Sequence, residues 1–210
     1  MTQLLLATRN HAKLDELRRI VAAADLARID VVGLCDVVQF QESPETGTTF
    51  EANALTKARD AVTATGIPAV ADDSGISVAA LNGMPGVLSA RWAGSHGDDA
   101  ANLSLLLAQL SDTPDERRGA AFVCAAALVT PNGMERVVRG EWAGALARAS
   151  RGNNGFGYDP IFVPDGENRT AAELEAEQKD AQSHRGRALR ALVPHFVEAF
   201  GGDVADGPGT

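Results

Sequence analysis

The sequence predicts a mixed α/β domain built on one sheet. Three observations carry that reading: a wholly apolar opening run, strand and helix periods that alternate through the first half, and a hairpin signal in the second. Leu4-Leu5-Leu6-Ala7 is continuously apolar, as in a strand buried on both faces. After Thr8-Arg9-Asn10 the period changes. Leu14, Leu17, Arg18 and Val21 keep helical spacing, with Asn10 placed to cap that helix. A second strand is expected over residues 30–34, then a polar loop over 39–49 containing Pro44 and Gly47. Thr49 opens a helix with Phe50, Ala54, Ala58 and Ala61 on one face and Asn53 with Lys57 on another. Gly66-Ile67-Pro68 ends it.

Next comes Ala69-Val70-Ala71-Asp72-Asp73-Ser74-Gly75, read as a short buried strand that stops at two carboxylates, with Gly75 marking a sharp turn. Ile76 to Leu81 is apolar, and Asn82-Gly83-Met84-Pro85-Gly86 is a loop. Residues 102–110 are helical by composition. Residues 120–129 and 135–146 read as strands joined across Pro131-Asn132-Gly133. Residues 152–158 hold three glycines and form a loop, and 170–179 read as a charged helix. Ser183 caps a last helix carrying Leu189, Leu192, Phe196 and Phe200, in which Pro194 should produce a kink. The glycine-rich residues 201–210 are expected to be disordered, leaving 1–200 as a single domain.

The chain has 210 residues, enough for one sizeable core. Its 28 acidic and 19 basic residues give a net charge of −9, which disfavours a general nucleic-acid binder. A small anionic substrate stays possible, because a local basic pocket outweighs distant charges screened within ~8 Å. Cys35 and Cys124 lack metal or redox spacing and read as two buried free thiols. No apolar stretch approaches a membrane span, and no signal peptide precedes the first strand, so a cytoplasmic location without membrane partners is expected.

Five segments could do chemistry. Adjacent carboxylates at Asp72 and Asp73 repel each other and are costly to desolvate, unless a hard cation such as Mg²⁺ sits on them. An ordinary surface turn is the alternative. Thr8-x-Asn10-x-x-Lys13 lies at a helix amino terminus, an anion site, with Lys13 able to fold back on a phosphate; a plain capped helix explains it equally. Glu45 could complete a cation site with Asp73, or be a solvated loop residue, and Lys57 has the same status. In Gly155-Phe156-Gly157-Tyr158-Asp159-Pro160 an aromatic flanked by glycines suits stacking on a flat ligand, or a buried loop anchor. Lys179 with Ser183-His184-Arg185-Gly186 offers donors, or merely a cap with two exposed bases.

These segments, LLLATRNHAK, ETGTTFEANALTKA, AVADDSGISVAALNGMPGVLSARWAG, GFGYDPIF and TAAEL…K…SHRGRAL, occur in the order and spacing of the inosine triphosphate pyrophosphatase family, which the chain closely resembles over roughly residues 3 to 195. The resemblance implies a long mixed sheet flanked by helices, two lobes with the cleft between them, and a homodimer. It implies hydrolysis of ITP, dITP and XTP to the monophosphate and pyrophosphate with Mg²⁺. Thr8, Arg9, Asn10, His11, Ala12, Lys13 and Lys57 would then hold the triphosphate. Glu45 and Asp73 would hold the metal, with Asp73 also the base and Ser74 touching substrate. Phe156, Gly157, Tyr158, Asp159, Lys179, His184 and Arg185 would hold the nucleoside. Asp72 would shape the site. Arg9 departs from the family, which often has glycine there. A non-catalytic nucleotide-binding module and a Maf-type pyrophosphatase with another base preference are the alternatives.

Overall fold

The structure, a computed structural model, describes residues 1–201. The expected disordered tail therefore falls, beyond Gly201, outside the described residues. Six strands form one sheet in the order β2-β1-β3-β4-β5-β6. They are β1 (Thr2–Leu6), β2 (Ile29–Gly33), β3 (Ala69–Val78), β4 (Gly119–Val129), β5 (Glu135–Leu146) and β6 (Phe162–Pro164). The first three are parallel to one another, and β3 to β6 are antiparallel neighbours. The five α-helices among the described residues are α1 (His11–Ala23), α2 (Phe50–Thr65), α3 (Asp99–Gln109), α4 (Ala176–Gln182) and α5 (His184–Phe200). No described helix is long and apolar enough to cross a membrane.

The side-chain alternation of β3 and β4 sorts the core into two layers. Val70 with Cys124, Ala126 and Leu128 meets Leu14 and Leu17 of α1 and Leu189, Leu192 and Phe196 of α5. On the opposite face Ala71, Val123, Ala125 and Ala127 receive Phe50, Ala54 and Ala58 of α2. The alanine stripe of α2 lets that helix lie close to the sheet. Beyond these layers, Ile76, Phe122, Trp142 and Phe162 gather with Leu106 of α3 and Leu110, which caps that helix, in a further core.

Three sequence expectations are corrected. First, the strand does not stop at the aspartates. β3 pairs with β4 without interruption from Ala69↔Val129 to Val78↔Ala120. Gly75 is not a turn; it sits mid-strand where a Cβ would collide with the Ser89 hydroxyl and the Gly86 carbonyl. The glycine is needed for a close approach, which composition alone cannot tell from a turn. Second, residues 170–179 are not one helix. Thr170, Ala171, Ala172 and Leu174 are buried around a short 3₁₀ turn, and α4 begins only at Ala176. Third, Cys35 is exposed, in the 3₁₀ turn after β2, while Cys124 is buried as expected. α5 runs through Pro194 as a single helix.

Pairing of β1 with β3 ends at Leu6↔Val70. From Asp72 onward the β1-side edge of β3 is therefore free of β1. Because α1 and α2 lie on opposite faces, the carboxyl end of β1 is also a topological switch point, the usual place for a ligand crevice in an open sheet.

Candidate active site

Continuity of β3 decides what the two aspartates do. Consecutive strand residues point to opposite faces, so Asp72 turns toward α1 and α5 while Asp73 turns toward α2. The expected carboxylate pair is really two separate sites back to back.

On the α2 face, Asp73 Oδ2 accepts a hydrogen bond from Asn53 Nδ2 (2.8 Å), and its Oδ1 accepts one from the Ser74 amide (3.0 Å). Asn53 lies one turn before Lys57 on α2, so both side chains reach the same place. Asn53 Oδ1 also accepts the Gly47 amide at 2.8 Å, docking the loop that carries Glu45. The Lys57 ammonium stands between the carboxylates, 2.5 Å from Glu45 Oε1 and 3.7 Å from Asp73 Oδ1, and donates to the Asp72 carbonyl at 3.2 Å. Arg91 adds a second cation, 3.5 Å from Glu45 Oε2, and donates to the Glu45 carbonyl at 3.1 Å.

Burial raises the Asp73 pKa, and the charges of Lys57 and the Asn53 hydrogen bond only partly offset it. Burial also acts on Glu45, but Lys57 and Arg91 outweigh it and hold that carboxyl below its usual range. Lys57 is likewise desolvated, yet Asp73 and Glu45 raise its pKa. A buried and a partly buried carboxylate already gathered around one cation are chemically suited to a hard divalent ion. Magnesium uses one or two carboxylates and completes its shell with water and phosphate oxygens. Among the described residues no cluster of three or more His, Cys, Asp or Glu side chains is placed to hold a metal ion.

On the other face, Asp72 is almost fully buried and receives Lys13 Nζ at 2.9 Å on Oδ1 and 2.7 Å on Oδ2. Ser74, two residues on and so on the same face, donates its hydroxyl to Oδ2 at 3.1 Å. Burial works to raise the Asp72 pKa, but Lys13 and Arg185 overcome it and hold the carboxyl well below the usual range. The Cys124 thiol faces it across β4 and is pushed up to about 12 by burial and by the Asp72 charge. It is thus a neutral packing group.

A cavity of about 470 Å³ opens beside Ser74 and Gly75, and Phe156, Asp159, Lys179 and Arg185 line it. Its size suits a small organic ligand. Phe156 is 58% exposed, the mark of a platform rather than a core residue. Its ring has Lys179 Nζ 4.9 Å and the Arg185 guanidinium 6.0 Å from its centroid. Asp159 is buried; its carboxylate accepts the Phe156 amide (2.8 Å) and pairs with Lys179, so it fixes the loop. Gly157 N–H donates to Asp99 at the start of α3 (2.8 Å), and the Tyr158 hydroxyl donates to the Ser89 carbonyl (2.8 Å). His184 is not an exposed base. It is buried, stacked on Phe122 at 5.0 Å, and burial followed by Arg185 and Lys179 keeps its pKa well below the ordinary value. It therefore offers one neutral N–H.

In the amino-terminal loop Asn10 caps α1 as expected. Thr8 Oγ1 accepts the Asn10 amide at 3.2 Å, and Asn10 Oδ1 accepts the Lys13 amide at 3.4 Å, capping α1. Arg9 is exposed and paired with Glu42 at 3.0 Å. It does not adopt positive φ, which among described non-glycine residues occurs at Asp25 and Asn82, so glycine is not required there. His11 is exposed at the helix start, and Ala12 lies within α1. The structure thus brings Lys13, Ser74, Phe156, Asp159, Lys179, His184 and Arg185 to one face and Glu45, Lys57 and Asp73 to the other, with Thr8 to His11 at the end of β1 nearby. Sequence reasoning missed Asn53 as the link between Asp73 and the Glu45 loop, although a polar residue among the alanines of α2 signalled it. It also missed Arg91 and the buried Glu16, whose position three residues after Lys13 was the only clue.

Residues 4–195 match the Ham1 family. A dITP/XTP pyrophosphatase of Nocardia farcinica is 65% identical over 194 residues, covering 92% of this chain and 94% of the relative. One from Streptomyces coelicolor is 59% identical over 201 residues, covering 96% and 100%. Among solved structures, a nucleoside-triphosphatase / dITP/XTP pyrophosphatase of Mycobacterium abscessus is similar at TM-score 0.80 and 62% identity, covering 93% of this chain and all of that one. The Ham1 protein of Staphylococcus aureus is similar at TM-score 0.85 and 37% identity, covering 94% and 99%. The described fold and the match along nearly its whole length place this chain in the Ham1 family.

Proposed function

We propose that this protein is a nucleoside triphosphate pyrophosphatase that hydrolyses deaminated purine nucleotides (dITP, ITP and XTP) to the monophosphate and pyrophosphate. The observation that carries the reading is geometric: a cavity with an exposed aromatic platform lies against β3, whose Asp73 meets Glu45 of the preceding loop around the Lys57 ammonium. The close relatives named dITP/XTP pyrophosphatase support the same substrate class.

In this reading the purine stacks on Phe156, Arg185 and His184 donate toward an oxygen at position 6 of the ring, and Lys13, Lys57 and the end of β1 meet the phosphates. Adenine carries an amino donor at that position, and a buried donor facing donors costs about 1–3 kcal/mol per group. Glu45 and Asp73 would hold Mg²⁺, which supplies charge neutralisation on the phosphates and lowers the pKa of water. Asp73 accepts the proton of the water that attacks the α-phosphorus in line. Lys57, held in place by Glu45, stabilises the negative charge that passes to the leaving pyrophosphate. A homodimer and a cytoplasmic location belong to the same proposal, the second because its substrates are soluble nucleotides of the pool.

Pyrophosphate release measured with ITP, dITP, XTP, ATP and dTTP tests the reading. Turnover concentrated on the first three is expected. A preference for dTTP would point to a Maf-type base preference, and binding without release would leave a nucleotide-binding module.

A further inference from the structure

The Arg185 Nε–H is buried and has no hydrogen-bond partner. It lies 3.7 Å from Asp72 Oδ2, just beyond hydrogen-bond distance. That oxygen is already engaged by the Lys13 ammonium at 2.7 Å and the Ser74 hydroxyl at 3.1 Å. Arg185 Nη1 stands equally far, 3.7 Å, from Glu16 Oε2. Two cations from different helices, Lys13 of α1 and Arg185 of α5, thus share one carboxylate, and Lys13 holds the better share. A buried donor left without an acceptor is costly and rare, and asks for an explanation.

We propose that Asp72 is a positioning residue that makes base recognition depend on the phosphates. An anionic phosphate chain at the start of α1 draws the Lys13 ammonium away from Asp72. Its flexible stem permits this, since a lysine binds as a mobile point charge. The vacated Asp72 oxygen then takes the Nε–H of Arg185. Closing that gap needs a shift of about 0.8 Å to reach an ordinary N–H···O distance. With Nε fastened, the planar guanidinium is fixed against the Phe156 platform and its outer N–H groups are aimed into the cavity. The order of events follows from the capacity of Asp72 Oδ2: bonded to the ammonium and the Ser74 hydroxyl and met by the Cys124 thiol at 4.0 Å, it has no free lone pair left for Nε. A monophosphate product no longer holds Lys13 through a β- or γ-phosphate, so Lys13 returns to Asp72 and Arg185 is released. The base is read while the triphosphate is present and let go after cleavage.

This rests on Lys13 as a phosphate ligand and Arg185 as a base donor, and the experiment separates the two levels. Dissociation constants are measured in Mg²⁺ for the α,β-imido analogues of ITP and ATP and for IMP and AMP. In the unaltered protein, inosine-over-adenosine preference is expected to be about tenfold larger for the triphosphate analogues than for the monophosphates, a usual size for coupling between sites. Lys13→Gln frees Asp72 permanently, so the monophosphate preference should rise to the triphosphate level. Asp72→Asn should leave both low. If Asp72→Asn does not fold, Lys13→Gln decides alone. Equal preferences in the unaltered protein, or a Lys13→Gln variant that keeps the difference, overturn the coupling. Arg185→Ala that retains the triphosphate preference removes instead the base-donor assignment beneath it.

Discussion

Lys57→Met is the most informative single change at the carboxylate pair, because methionine keeps most of the aliphatic stem and removes the ammonium, with its charge and its hydrogen bond to the Asp72 carbonyl. The Lys57 side chain is 19% exposed, Glu45 28% and Asp73 10%. Taking the cation away leaves two half-buried to buried anions facing each other, with Arg91 only at 3.5 Å from Glu45 as compensation. Breaking a fully buried pair costs about 3–5 kcal/mol. The partial exposure of Glu45 and the remaining Arg91 discount this to about 2–3 kcal/mol at neutral pH. For a domain of this size that corresponds to a fall in Tm of roughly 4–12 °C. The pH dependence has a defined sign. In the unaltered protein Glu45 has a lowered folded pKa, so its contribution is present above the unfolded pKa and lost as pH falls through the folded one. Without Lys57 the folded pKa values of Glu45 and Asp73 rise, and the penalty is relieved as pH falls through them. The stability gap should therefore narrow between neutral pH and about pH 5. Urea denaturation at both pH values, with and without Mg²⁺, measures it, and Mg²⁺ should restore more stability to the variant than to the unaltered protein. A gap that is constant with pH, or a variant indifferent to Mg²⁺, refutes the picture of Lys57 as the cation that holds the pair together.

Phe156→Ala should raise the KM for ITP by roughly tenfold or more, since stacking on an aromatic is worth about 1–3 kcal/mol per base. Its Tm should hardly move, because the ring is 58% exposed, and an unchanged KM would remove Phe156 as the platform. Gly75→Val should destabilise by about 2 kcal/mol or more, because its Cβ meets the Ser89 hydroxyl, the Gly86 carbonyl and Phe50 Cε1. Chemical denaturation within experimental error of the parent would show that this approach is not tight.

Much of the fold was legible because it rests on local pattern. The apolar β1, the alanine face of α2, the β4–β5 hairpin and the Ser183 cap all appear where periodicity and turn chemistry put them. What sequence did not reveal was long-range. Nothing local distinguishes a turn glycine from one that admits Ser89 and Gly86, so β3 was cut short at Gly75. That error hid the opposite facing of Asp72 and Asp73. Likewise the burial of Ala171 and Leu174 comes from packing of the 3₁₀ turn against the core around Phe162, which overrides a helix-forming composition. The site residues were legible as motifs, but their partners Asn53, Arg91 and Glu16 became visible only when distant segments met.

The division of labour between neighbouring aspartates is tested most directly by Asp73→Asn. The amide side chain keeps the shape of the carboxylate, and one of its two contacts with Asn53 and the Ser74 amide can persist. Affinity for the α,β-imido analogue of ITP should stay within about tenfold of the parent. The rate of pyrophosphate release in a single turnover of ITP should fall by about 10²–10⁴ from loss of the base alone. Near-normal release from Asp73→Asn would contradict the assignment and leave the proton to another group.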